Sequence, residues 1–261
     1  LGETSEAIFM SSGYAYEAAE DAADRFAGVQ DGYTYSRLRN PSNAMLEERL
    51  AMIEGAEACR ATATGMAAVA AAILCQVRTG DHVVSGKALF GSCRWIIDNL
   101  LPRYGVETTL VDGRDTEAWA RAVKPNTKVF FLESPANPTL DIVDIAAVCR
   151  IAKAAGARVV VDNVFATPLL QRPLGMGADI VVYSTTKHID GQGRCLCGAI
   201  LCSNAFLADP LLPYLRNTGP TQSPFNAWVL LKGMETLDLR VERMCANAAR
   251  AADFLAAQPK L

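Results

Sequence analysis

Short runs of β-branched and other apolar residues alternate with helical patterns from residue 64 onward. Apolar residues fill successive positions in these runs, so the strands are expected to be buried on both faces. The runs predict strands at 82–85, 107–111, 128–133, 158–162, 180–184 and 199–202. Helical periodicity predicts helices near 65–78, 92–103, 116–123, 144–155, 225–236 and 239–257. The predicted fold class is α/β, a mostly parallel sheet with helices on both faces.

The first 60 residues lack this alternation. The polar stretch 31–41 is rich in Tyr and Gly and follows neither period, and the aromatic and Arg side chains over 25–39 favour an extended arm ordered against a partner over a disordered one. The last helical pattern ends without a capping Gly or a polar tail, so we expect a truncated or incompletely supplied chain. The predicted division is an arm at 1–48, an α/β domain at 49–237, and a linking helix with the start of a truncated C-terminal domain at 238–261.

Composition argues against several classes of protein. The 261 residues are 51% hydrophobic and 20% charged, which is ordinary globular composition. A net charge of −3 without a dense block of Lys or Arg argues against nucleic-acid binding. The apolar stretch 66–77 is shorter than the roughly 20 residues that span a bilayer, so no membrane association is expected. Eight scattered cysteines and two histidines predict no metal site, and they indicate reduced thiols in the cytoplasm.

Two of the predicted strands end near ionisable residues. Asp162 closes one apolar run, and Lys187 follows the next run after Ser184, Thr185 and Thr186. Ligands bind at the carboxyl ends of parallel strands, so this placement favours a site over an ordinary surface. It is typical of a lysine that forms a Schiff base with pyridoxal 5′-phosphate, hydroxyls that hold the phosphate, and an acid that meets the ring nitrogen. A solvated lysine at a helix start is the alternative, and it is the commoner role for lysine.

Three further motifs fit the same cofactor, although each has an ordinary alternative. Gly65 and Met66 open a helix of good helix formers, so their N–H groups can bind an anion or merely belong to a capped helix. Phe90 follows a strand and can stack on a flat ring or fill the core. Asn137 lies in a Pro-rich turn after a strand and can contact a ring oxygen or a substrate carboxylate, or serve only the turn.

Six motifs in order resemble the Cys/Met-metabolism family of pyridoxal-phosphate enzymes. They lie at 35–41, 63–68, 133–140, 160–168, 183–192 and 219–228 and span nearly the whole chain. The family includes cystathionine γ-synthase, the cystathionine lyases, methionine γ-lyase and the homoserine-ester sulfhydrylases. The resemblance implies the large domain of a fold-type I pyridoxal-phosphate transferase.

The resemblance also implies roles for individual residues. Lys187 would carry the cofactor, and Asp162 would meet the ring nitrogen. The phosphate would be held by Gly65, Met66, Ser184 and Thr186. Tyr35 and Arg37 would reach the phosphate of a neighbouring subunit, which implies at least a homodimer and, as is usual in the family, a homotetramer. A smaller C-terminal domain, which in the family supplies the arginine for the substrate α-carboxylate, is not in this sequence.

Phe90 departs from the commonest family pattern, which has a Tyr that stacks on the ring. The Phe at position 90 and the Asp-Gly-Gln-Gly-Arg stretch at 190–194 resemble the corresponding segments of the sulfhydrylases that act on O-succinylhomoserine. The resemblance implies γ-replacement, in which sulfide displaces succinate and gives homocysteine for methionine biosynthesis. Cystathionine γ-synthase chemistry with cysteine as nucleophile, a γ-lyase and a non-catalytic oligomerising relative stay open as alternatives.

Overall fold

A computed structural model describes residues 4–259, in which seven strands form one sheet of order β1-β7-β6-β5-β4-β2-β3. The strands are β1 (Ala58–Thr62), β2 (His82–Gly86), β3 (Glu107–Val111), β4 (Thr127–Glu133), β5 (Arg158–Asp162), β6 (Ile180–Tyr183) and β7 (Gly198–Cys202). Strands β2 to β6 pair in parallel, whereas β7 is antiparallel to both β1 and β6. The mostly parallel α/β sheet predicted from the sequence is confirmed.

Helices cover both faces of the sheet. They are α1 (Ala19–Ala27), α2 (Pro41–Glu54), α3 (Gly65–Leu74), α4 (Gly91–Trp95), α5 (Leu101–Arg103), α6 (Thr116–Arg121), α7 (Ile145–Ala154), α8 (Thr167–Leu170), α9 (Asn204–Phe206), α10 (Leu212–Thr218), α11 (Pro224–Met234) and α12 (Leu237–Ala256). A π-helical turn at Ile96–Leu100 joins α4 to α5. Among the described residues no helix combines the length and the apolarity needed to cross a membrane.

Alternate residues of the strands enter opposite cores. Val182 packs in the cluster under α3 and α4, whereas its neighbour Val181 packs in a cluster with α2 and α11. On β5, Val160 belongs to the first cluster, and Val159 and Val161 pack under α6 and α7. Burial on both faces explains why these strands read as continuous apolar runs rather than as alternating ones.

The six predicted strands and six predicted helices agree with the structure to within a few residues, and the predicted helix near 92–103 corresponds to α4, the π-helical turn and α5. Helices α1, α2, α8, α9 and α10 and strand β1 were not predicted. Helix α2 begins at Pro41 behind Asn40, whose side chain accepts a hydrogen bond from the Ser42 N–H at 2.9 Å. It buries polar Glu47 as well as Leu46, so no apolar stripe marks it in the sequence. Helix α2 also runs across residue 48, the predicted end of the arm, and it packs against β1 and α11.

Candidate active site

The sheet topology brings six chain segments to one edge. Strand β7 is antiparallel to both β1 and β6, so β1 and β6 run in the same direction. The carboxyl ends of β1, β2, β4, β5 and β6 therefore meet at this edge, beside the start of β7. A cavity of about 660 Å³ opens at this edge. Its walls are formed by Thr64, Gly65, Met66, Val69, Phe90, Ser92, Cys93, Glu133, Asn137, Asp162, Val164, Phe165, Ser184, Thr186, Lys187, His188, Gly191, Leu196 and Met244.

One end of the cavity is suited to an anion. Thr64 caps α3 by accepting a hydrogen bond from the Ala67 N–H at 3.0 Å, and the first-turn N–H groups have no acceptor within the helix. A Cβ atom at Gly65 would lie 2.4 Å from Cβ of Ser184, so the start of α3 lies directly against the residue that follows β6. Free N–H groups at the positive end of a helix and a serine hydroxyl therefore lie side by side.

Replacing Gly65 with alanine is expected to destabilise the protein and distort this end of the cavity. The new Cβ would also lie 2.8 Å from the backbone Cα of Ser184, so the main chain would have to move. Overpacking of this kind costs about 1–3 kcal/mol, which chemical denaturation measures. Gly175→Ala is the matched control, because nothing lies within 4 Å of a Cβ placed there. Equal losses in the two variants would contradict the contact argument.

Two buried carboxyl groups lie next to each other on the cavity wall. Glu133 ends β4 and pairs in register with Asp162, which ends β5. Burial, with the charge of Glu133 as a second cause, raises the pKa of Asp162 to about 7. Asp162 accepts a hydrogen bond from the Val164 N–H at 3.1 Å, which favours its ionised form less than burial disfavours it. A cation in the cavity would restore the charged carboxylate.

Glu133 joins two of the cavity loops. Its carboxylate accepts a hydrogen bond from the Phe90 N–H at 2.6 Å and another from the Asn137 N–H at 3.0 Å. The pKa of Glu133 is raised because burial outweighs these two hydrogen bonds. The ring of Phe90 is 43% exposed and forms part of the cavity wall, so it is available to stack on a flat ligand.

Lys187 lies in a tight turn after β6, with its side chain exposed on the cavity wall. The Lys187 N–H donates to the Ser184 carbonyl at 3.2 Å, and the Lys187 carbonyl accepts from the Gly191 N–H at 2.7 Å. The Thr186 hydroxyl accepts from the Cys197 N–H at 3.1 Å and donates to the Cys197 carbonyl at 3.2 Å. These bonds fix the turn against the start of β7.

The structure brings together most of the site residues named from the sequence. The cavity wall includes Gly65, Met66, Phe90, Asn137, Asp162, Ser184, Thr186 and Lys187. Tyr35 and Arg37 lie elsewhere. The guanidinium of Arg37 lies over the ring of Tyr35, 5.4 Å from its centroid, and donates to the Arg216 carbonyl.

Several wall residues were not named from the sequence. Glu133 could have been found, because it is the last residue of a predicted strand beside the strand of Asp162. His188 directly follows Lys187, and its ring lies 6.4 Å from that of Phe165. Met244 reaches the cavity from α12, and no local pattern connects it to a site formed more than 50 positions earlier in the chain.

The residues present fit pyridoxal 5′-phosphate. The start of α3 and the hydroxyl of Ser184 suit a phosphate, and the space against Ser184 would be filled by any side chain at position 65. Thr186 lies on the same wall, but its hydroxyl proton is donated to the Cys197 carbonyl. Asp162, a buried acid with a raised pKa, suits a protonated ring nitrogen. Lys187 lies on the same cavity wall, and its amine can form a Schiff base with the aldehyde of the cofactor.

Comparisons with known proteins agree with this chemistry. The chain is 52% identical over 259 residues to O-succinylhomoserine sulfhydrylase of Mycobacterium tuberculosis and 44% identical over 254 residues to L-methionine gamma-lyase of Porphyromonas gingivalis. These matches cover 99% and 97% of this chain and 64% of each relative, so the chain spans about two thirds of the length of these curated relatives.

A solved structure has the same fold. A Campylobacter jejuni protein named for O-acetylhomoserine (thiol)-lyase activity, solved with a pyridoxyl-lysine phosphate, superposes with a TM-score of 0.94 at 32% identity. The match covers 98% of this chain and 72% of that one. The model of the Cys/Met metabolism PLP-dependent enzymes matches residues 1–261. The chain therefore belongs to the family of Cys/Met metabolism PLP-dependent enzymes.

Proposed function

We propose that the protein is a cytoplasmic pyridoxal-phosphate enzyme that replaces the succinyloxy group of O-succinylhomoserine with sulfide and forms homocysteine. One observation supports the proposal most directly. The wall of a single cavity includes the start of α3 and Ser184, which suit a phosphate, the buried acid Asp162, and Lys187. The 52% identity to a sulfhydrylase supports the choice of reaction within the family.

The cofactor supplies an electron sink when bound, and the residues of the chain do the rest. Gly65, Met66 and Ser184 would hold its phosphate through N–H and hydroxyl groups, and Thr186 would join them by turning its hydroxyl proton from the Cys197 carbonyl to the phosphate. Asp162 keeps the ring nitrogen protonated, because an opposite charge favours the charged form of that nitrogen. Phe90 would stack on the ring, and Asn137 would contact the ring oxygen or the substrate carboxylate.

Lys187 is the proton carrier in this mechanism. Its amine would take the proton from Cα of the substrate, release it to solvent, and then take a proton from Cβ. Loss of the Cβ proton allows succinate to leave from Cγ. Hydrosulfide then adds at Cγ, the proton held by Lys187 returns to Cβ, and Lys187 takes up a proton from solvent and delivers it to Cα. The overall reaction exchanges succinate for sulfide at one carbon and consumes no oxidant or reductant.

A γ-lyase is the second candidate, because L-methionine gamma-lyases are also among the relatives. Phe90 supports the sulfhydrylase instead, since a phenyl ring stacks but offers no hydroxyl for the additional proton transfers of an elimination. Product analysis separates the candidates. Incubation of the purified protein with O-succinylhomoserine and sulfide should yield homocysteine and succinate. Cystathionine formed from cysteine, or α-ketobutyrate and ammonia formed without a nucleophile, would reassign the reaction.

We propose further that Tyr35 and Arg37 complete the phosphate site of a second subunit, in a homodimer that pairs into a tetramer. Support comes from their placement outside the cavity of their own chain and from the exposure of Tyr35, which is 43% accessible. Arg37 is well suited to this role, because its planar guanidinium binds phosphate in a bidentate manner.

Mixing two inactive variants tests the shared site. In a mixed dimer of Arg37→Ala and Lys187→Ala, both substitutions fall in one site and the other site is intact. Subunit exchange should therefore recover about a quarter of wild-type activity, because half of the randomly formed symmetric dimers are mixed. Each variant incubated alone under the same exchange conditions is the control. If verified mixed dimers recovered no activity, Arg37 would not act across the interface.

A further inference from the structure

Arg240 on α12 is bonded to the turn that carries Lys187. Its Nη1 atom donates to the His188 carbonyl at 2.6 Å, and its Nη2 atom donates to the Ile189 carbonyl at 3.2 Å. The same Nη2 atom donates to the Gly233 carbonyl near the end of α11 at 2.7 Å. One planar group thus binds three carbonyls in two backbone segments, which a lysine with a single ammonium group could not do in this geometry.

The shape of the turn is matched to this guanidinium. A Cβ atom at Gly191 would lie 1.8 Å from Nη1 of Arg240 and 2.4 Å from its Cζ. Gly191 has a φ of +70°, and its N–H closes the turn on the Lys187 carbonyl at 2.7 Å. The absence of a side chain at Gly191 therefore serves both the left-handed backbone and the space that Arg240 fills.

An ordinary ion pair does not account for Arg240. The nearby carboxylate of Asp190 is fully buried, and it already accepts from the Arg194 Nε at 2.8 Å and from the Arg194 N–H at 2.6 Å. The partners of Arg240 are instead three carbonyl groups, two in the lysine turn and one at the carboxyl end of α11, where a cation is favoured, and the Thr236 hydroxyl, which accepts from Nε at 3.2 Å.

Helix α12 is therefore connected both to the cavity wall and to the turn that carries Lys187. Met244 forms part of the cavity wall, and Arg240, one helical turn earlier on the same face, is bonded to the lysine turn. The rest of the helix has little other contact, since Leu237 and Val241 are its buried residues in the described part of the chain.

We propose that Arg240 is a positioning residue that couples the placement of α12 to the placement of Lys187. The inference rests on the proposed role of Lys187 in binding the cofactor. Movement of the first two turns of α12 would move the His188 and Ile189 carbonyls, and with them the lysine amine relative to the cofactor. The chain's last described helix thereby adjusts the reaction without supplying a group that touches the substrate.

The test compares Arg240→Ala and Arg240→Lys with Arg243→Ala, a control on the same helix. Arg243 is exposed, and within residues 4–259 its side chain has no recorded hydrogen bond or ion pair. Amide exchange of Asp190 and Gly191, whose N–H groups close the lysine turn, should accelerate about tenfold or more in both Arg240 variants, because the turn loses the guanidinium hydrogen bonds to its His188 and Ile189 carbonyls. Arg243→Ala should leave exchange unchanged.

Enzymatic and spectroscopic readouts separate positioning from general stability. In Arg240→Ala, kcat should fall about tenfold or more with a smaller change in KM, the pH titration of the visible cofactor band should shift, and added guanidinium should restore part of the rate. Unchanged exchange and an unchanged band, or a loss of kcat that guanidinium does not relieve, would overturn the proposal. If borohydride reduction showed no cofactor on wild-type Lys187, the proposed function would be refuted. Amide exchange in the cofactor-free protein would still test whether Arg240 positions the lysine turn.

Discussion

Lys187→Ala is expected to abolish turnover and the covalent attachment of the cofactor together. In the proposed mechanism Lys187 supplies both the amine that binds the cofactor and the group that carries the Cα and Cβ protons. Removal of a positioned general base alone costs about 10²–10⁴-fold in rate, and loss of the covalent link adds to this. The measurement is the rate of homocysteine formation, together with borohydride reduction and mass spectrometry of the peptide that contains residue 187. Wild type should show the added cofactor mass on that peptide, and the variant should not.

Lys153→Ala is the matched control for this substitution. Lys153 is exposed on α7, away from the cavity, so its replacement should change neither the rate nor the cofactor mass. If Lys187→Ala retained wild-type turnover, or if reduction fixed the cofactor on another lysine, the proposed assignment of the site would be wrong. Added amines that partly restored the rate of Lys187→Ala would support the proton-transfer role in particular.

The candidate site was largely predictable because its residues end strands of one sheet. A parallel strand buried on both faces is recognisable in a single sequence as an apolar run, and its last residue locates the ligand edge. Asp162 and Ser184 were found in this way. Glu133 also ends a strand, but its carboxylate joins two cavity loops by accepting from the N–H groups of Phe90 and Asn137. Because these loops meet only in the folded chain, no local sequence pattern indicates this contact.

The unpredicted parts of the structure depend on distant contacts. Helix α2 has no apolar stripe, because it is enclosed by β1 and α11, and its Glu47 is bonded at 2.8 Å to both the Arg60 side chain and the Ala61 N–H. Strand β1 contains that arginine, so its composition does not indicate a strand buried at the sheet edge. Arg240 is a similar case, since its partners in the lysine turn, His188 and Ile189, lie about 50 positions earlier in the chain.

Asp162→Asn is expected to weaken the cofactor site while stabilising the cofactor-free protein at alkaline pH. An asparagine has no charge to hold the ring nitrogen protonated. Hydrogen bonds to charged groups contribute about 1.5–3 kcal/mol, so cofactor affinity should fall about ten- to hundredfold, with at least as large a loss of turnover. Cofactor titration monitored by visible absorption measures the affinity. Asp238→Asn, at an exposed position on α12, should leave it unchanged.

The stability effect has a defined sign. In the folded cofactor-free protein, burial raises the pKa of Asp162 from 3.8 to about 7, so the folded state binds the proton more tightly than the unfolded state does. Stability is then highest below pH 4 as far as this group is concerned, and it falls as the pH rises toward 7. Between pH 5 and pH 8 the wild type should lose about 2–3 kcal/mol from this group, and Asp162→Asn should not. Denaturation of the cofactor-free proteins at both pH values measures the difference.

Parallel losses in the two proteins would mean that Asp162 is already ionised and paired without the cofactor. The predicted difference would instead show that the site keeps a costly buried acid because the ring nitrogen needs it, which is the stability cost expected of a residue retained for function.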